Sequence, residues 1–126
     1  MIETKLSTIV NSIEIMQRLA NSPVKGRTAY NIGKIIKKIE QEVNLFYDTR
    51  TKIVNKYGVK DENGELIIEN DNYKINPDLI EEFNLEVNNL LETVVVINVN
   101  PIKLEELAEI EITPAQMILI EDFIQE

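Results

Sequence analysis

The sequence predicts an α+β fold of helix-rich type, with one long amphipathic helix and shorter helices packed beside a small antiparallel sheet or hairpin. Three observations predict it. An apolar stripe of helical period runs from residue 32 to 57. Two short stretches, 59–76 and 93–99, carry strand composition. Asn76-Pro77 and Thr113-Pro114 punctuate the rest as helix starts. With 126 residues and 44% hydrophobic content, a single domain over 1–126 with one core is the expectation.

Residues 2–6 read as a short strand, after which Ser7 is placed to cap a helix with Ile9, Ile13, Met16, Leu19 and Ala20 inward. Asn21-Ser22-Pro23 ends it, because the proline ring disfavours helical geometry in the residue before it. The second helix runs from about Arg27 to Tyr57, with Gly58 as a left-handed stop. Its stripe is Ile32, Ile36, Ile39, Val43, Phe46, Arg50, Ile53 and Tyr57, stepping alternately by four and three as in a coiled-coil seam. A helix of this length, about 46 Å, must protrude, kink near Gly33 or lie along other helices. Arg50, the polar member of the stripe, must be paired or reach solvent. An internal acidic partner is the simpler account, and a register device against an acidic helix or a second copy is the other.

Leu66-Ile67-Ile68 and Tyr73-Lys74-Ile75, with polar turns around them, read as a β-hairpin. Asn76 as cap and Pro77 in the first turn open a third helix whose inward stripe is Ile80, Phe83, Val87, Leu90 and Leu91. Residues 93–99 are β-branched and nearly all apolar, as in a strand covered on both faces, pairing with residues 2–6 or with the hairpin. After Pro101, Ile102-Lys103-Leu104 and the alternation from Glu109 to Ile112 suggest an edge strand or extended loop. Thr113-Pro114 then starts a last helix that is apolar on most sides at Met117, Ile118, Leu119 and Ile120.

The chain has no Cys and no His, which excludes disulfides, thiolate nucleophiles, imidazole bases and His- or Cys-ligated zinc. Nothing calls for a metal or a cofactor. Asp61, Asn63, Gly64 and Glu65 superficially suit calcium, but the glycine falls at the fourth position and not the sixth, so a turn is expected. Composition favours a binding protein over an enzyme. The acidic third helix offers the partner-binding candidates: Asp78, Glu81, Glu82, Asn89 and Glu92 surround Leu85 by helical angle. An apolar anchor ringed by carboxylates fits a hot spot for a basic, grooved partner, although one exposed leucine is ordinary on any helix.

Charge is divided along the sequence. Residues 1–60 hold eleven basic against five acidic residues, and residues 61–126 two against seventeen, within a total of −9. Either the halves neutralise each other in the fold, or the acidic half faces a basic partner. Lys34, Lys37, Lys38, Lys52 and Lys56 lie opposite the seam, but the acidic total argues against nucleic acid as a partner. No leader-like start and no run of about 18 apolar residues is present, so no membrane association and a bacterial cytoplasmic location are expected. The richness in Ile, Asn and Lys points to AT-rich coding.

The punctuation of the chain resembles a family of small uncharacterised phage and prophage proteins of low-GC Gram-positive bacteria. Carrying the resemblance are Lys5-Leu6, Pro23-Val24-Lys25, Ala29-Tyr30, Lys56-Tyr57-Gly58, Asp61-Glu62-Asn63-Gly64, Glu82-Phe83-Asn84, Leu90-Leu91, Pro101-Ile102-Lys103-Leu104 and Thr113-Pro114-Ala115. It supplies no catalytic residues. It implies a stoichiometric, non-enzymatic inhibitor of a bacterial anti-phage defence protein that acts through its acidic surface. The alternative is a virion or assembly component that forms homo-oligomers through the long helix.

Overall fold

A computed structural model describes all 126 residues. In chain order the elements are β1 (Ile2–Lys5), α1 (Leu6–Ala20), α2 (Gly26–Tyr57), β2 (Ile68–Glu69), β3 (Asn72–Tyr73), α3 (Ile80–Leu91), β4 (Val94–Ile97), β5 (Ile102–Lys103), α4 (Pro114–Ile120) and β6 (Ile124–Gln125). Short 3-10 turns occupy Pro77–Leu79, Leu104–Leu107 and Glu121–Phe123. The fold is the expected α+β type, with four helices and small sheets of two strands each. Internal contacts gather the chain into two compact units, one formed by residues 1–43 with 93–126 and the other by residues 44–92.

The first unit is closed by its two ends. β1 pairs antiparallel with β4, Ile2 opposite Ile97 and Lys5 opposite Val94, which settles the partner of the 93–99 strand. β5 pairs parallel with β6, Ile102 opposite Ile124. Ile9, Met16, Leu19, Ile32, Ile35, Ile39, Ile102, Ile120 and Phe123 form the fully buried core. Each such large apolar side chain contributes about 1.5–3 kcal/mol by leaving water. Its buried polar groups are satisfied: Ser12 Oγ donates to Ile9 O at 2.9 Å, Thr4 Oγ1 to Asp122 Oδ2 at 2.7 Å, and Thr28 Oγ1 to Glu106 Oε2 at 2.9 Å.

Several expectations for this unit need correction. Ser7 does not cap α1; the helix begins at Leu6, and the Leu6 amide donates to Thr93 O at 2.9 Å. The sheet thus takes up an amide that a side-chain cap would otherwise serve. Ala20 is exposed, while Leu6, Ser12 and Ile15 complete the inward face of α1. The 93–99 strand is covered on one face only, because its sheet has two strands and no second layer over the other side. Val94 and Val96 are 54% and 57% exposed, while Ile97 is buried. The last helix divides likewise, with Ile120 buried and Ile118 and Leu119 exposed.

α2 is continuous through Gly33 and contributes residues to both units. Its buried face includes Ile35 and Val54 beside the expected Ile32, Ile36, Ile39, Val43, Phe46, Ile53 and Tyr57. The face is therefore wider than a two-position seam and is of the globular kind. Being buried within the chain, it presents no apolar seam to a second copy. Arg50 meets its requirement by reaching solvent.

In the second unit the hairpin forms with Ile68 opposite Tyr73 and Glu69 opposite Asn72. Asn70 and Asp71 make the two-residue turn at φ 52° and 66°, the paired left-handed geometry that matches the twist of a hairpin. Gly58 is not a left-handed stop, since Gly64 is the glycine with positive φ, at 78°. Gly58 is needed for space: a Cβ there would lie 2.5 Å from Leu66 Cδ2 and 2.7 Å from Val54 O. α3 starts as expected, with Asn76 Oδ1 accepting from the Asp78 amide at 3.1 Å and Pro77 in the first turn. Its inward stripe is shallower than expected, with Phe83, Val87, Leu90 and Leu91 half-buried and Ile80 exposed.

Candidate docking surface

α3 is anchored at both its start and its inner side. The Asn76 amide donates to Tyr57 O at 3.0 Å, which ties the cap to the end of α2. One turn further, Phe83 meets the Tyr57 ring edge-on, with centroids 6.2 Å apart. Glu86 Oε1 then accepts from both Lys56 Nζ and Tyr57 Oη, each at 2.6 Å. These bonds hold the Glu86 carboxyl below its ordinary range, the Lys56 bond most and the Tyr57 bond next. The Glu86 bond in turn raises both the Lys56 ammonium and the Tyr57 phenol. Sequence reasoning missed this clamp. Its signal was a carboxylate at 86, one position from Val87 and three from Phe83, on the side of the helix that carries the apolar stripe.

The opposite side of α3 carries the predicted partner-binding residues. Glu81, Glu82, Leu85, Asn89 and Glu92 are all exposed, as is Asp78 in the turn that leads in. Leu85 is 61% exposed, an extent at which its side chain contributes little to the fold. Glu81 and Glu82 also sit in the first turn of the helix, where negative charge favours the helix macrodipole. The resulting surface is an apolar side chain among carboxylates on a rigid, well-anchored helix.

The Asp61–Glu65 segment is a turn, as expected. Asp61 Oδ1 accepts from the Asn63 and Glu65 amides at 2.8 and 3.0 Å, so its carboxylate closes the loop on itself. No three acidic side chains gather closely enough to hold a metal ion. No helix is long and apolar enough to cross a membrane. Of the α2 lysines, Lys56 is engaged by Glu86, and Lys34 lies over the Tyr30 ring at 4.7 Å from its centroid. In the first unit an open groove of about 590 Å³ is lined mainly by apolar side chains, among them Leu107, Ile110, Ile112 and Met117. It holds none of the predicted residues. Comparisons with protein-family models, curated proteins and solved structures find no match.

Proposed function

We propose that this protein is a non-enzymatic binding module whose docking surface is the outer side of α3, and whose partner is a protein with a basic, grooved surface. The observation that carries the reading is Leu85, 61% exposed among the exposed Asp78, Glu81, Glu82, Asn89 and Glu92. Leu85 supplies the desolvated anchor that concentrates binding energy at the centre of an interface. The surrounding carboxylates steer a cationic surface to it and set its orientation. The resemblance to small phage proteins narrows the partner to a host defence protein, bound stoichiometrically and blocked at an active or assembly surface.

The test compares the tagged wild type with the Leu85→Arg/Glu82→Lys variant in capture from host lysate at about 0.15 M salt. Both changed side chains are exposed, so the variant keeps its fold and circular dichroism. The expected result is one host protein recovered at near-equal amounts by the wild type and lost by the variant. Equal recovery by a folded variant overturns the surface. Recovery of phage structural proteins alone favours an assembly role instead.

A further inference from the structure

β4 leaves one side of its backbone unpaired. Register and hydrogen bonding determine which groups these are. Leu6 N–H donates to Thr93 O, and Leu6 and Thr93 continue the register in which Thr4 faces Val95 and Ile2 faces Ile97. In an antiparallel pair, bonded and non-bonded positions alternate, so Val95 and Ile97 bond to β1. The N–H and C=O groups of Val94 and Val96 therefore point away from β1. No hydrogen bond within the chain engages them. Their side chains are exposed as well, on the uncovered face of the sheet. The segment 93–97, Thr-Val-Val-Val-Ile, contains no charge, no Pro and no Gly, so that only its shortness works against edge pairing.

We infer that β4 is a homodimer edge, pairing antiparallel with β4 of a second copy about a twofold axis at Val95. The outward peptide groups define the register. Val94 faces Val96 of the second copy and Val96 faces Val94, giving two bonded pairs and a four-stranded sheet in the order β1, β4, β4, β1. On the exposed face the four valines become adjacent, the β-branched cross-strand arrangement that stabilises sheets. Glu3 and Lys5, opposite Val96 and Val94 in the same chain, flank them. Beyond the valines, Glu92 falls opposite Asn98 of the second copy, so no like charges face each other along the strand. Of the α3 surface only Glu92 borders this edge, and the variants at Leu85 and Glu82 and those at Val94 and Val96 test the two readings separately.

Sedimentation of the full chain over increasing concentration is expected to show a reversible dimer of the weak, transient kind that a small interface forms. Amide exchange gives a second readout that needs no variant. Val94 and Val96 amides exchange freely when dilute and become protected when concentrated, while Val95 and Ile97 are protected throughout. Two variants test the register. Val94→Glu/Val96→Glu sets two like-charge pairs across the axis and weakens the dimer roughly tenfold or more. Val94→Glu/Val96→Lys sets two opposite-charge pairs there, and also matches Lys5 and Glu3 within the chain, so dimerisation returns. A chain that stays monomeric to about 1 mM, a dimer indifferent to the double glutamate, or a failure of the Glu/Lys variant to restore it overturns the proposal. Leu85→Arg/Glu82→Lys leaves the dimer unchanged.

Discussion

The same substitution, Gly→Ala, has opposite consequences at two positions of α2 and its end. At Gly33 an added Cβ meets nothing within 4 Å, and the residue lies inside a helix. Alanine there stabilises by about 0.5–1 kcal/mol, because it restricts the unfolded chain. At Gly58 the Cβ would run into Leu66 Cδ2 and the carbonyl of Val54, and backbone cannot step aside. Alanine there destabilises by about 1–3 kcal/mol. Urea melts of both variants check the signs through midpoints moving in opposite directions. Glu86 gives a pH-dependent effect at the same scale. Its carboxyl is held below the ordinary 4.5, so its contribution is complete above that value and is lost as pH falls through the folded value. Lys56 and Tyr57, both raised by the same contact, contribute below their ordinary 10.5 and 10.0 and lose it as pH rises through their folded values. Stability measured against Glu86→Gln is therefore expected to show a plateau between these limits, with the difference narrowing on both sides. A pH-independent difference would mean that the clamp does not set these ionisations.

At the scale of elements, α4 shows how a short helix is held. It has seven residues, too few to persist alone in water. Thr113 Oγ1 accepts from the Gln116 amide at 3.2 Å, and Gln116 Oε1 accepts from the Thr113 amide at 3.1 Å, a reciprocal cap. The same Gln116 oxygen accepts from Arg18 of α1 at 3.1 Å, and Arg18 also donates to Glu111 O. Thr113→Ala is expected to cost about 1 kcal/mol, with thermal melting lowered and amide exchange in α4 accelerated, while Thr113→Ser retains most of the cap. The two proline-marked starts, at Asn76-Pro77 and Thr113-Pro114, were legible because a cap is local: the side chain bonds an amide two or three residues away. The start of α1 was not legible, because the Leu6 amide is served by Thr93, far along the chain. Both faces of β4 were expected to be covered from its composition alone, and composition cannot count the layers above a sheet.

At the scale of the whole molecule, the charge division along the sequence does not carry over into the compact units. The first unit joins residues 1–43 to 93–126, so that eight basic and eleven acidic residues share it, a net of −3. The second, residues 44–92, holds five basic and eleven acidic residues, a net of −6. Basic and acidic stretches far apart in the chain thus meet within one unit, and the more acidic unit is the one that contains α3. The sequence by itself determined the α+β class, the extent of α2, the hairpin, the starts of α3 and α4, and the outward placement of Leu85 among carboxylates. Each of these follows from periodicity or from bonds spanning a few residues. The tertiary structure alone decided that β1 pairs with β4, that β6 near the C-terminus pairs parallel with β5, that Glu86 clamps Lys56 and Tyr57, and that Val94 and Val96 are left at an open edge. These depend on contacts between residues distant in sequence, where local propensity is silent and the layers available for packing decide which face and which edge remain uncovered.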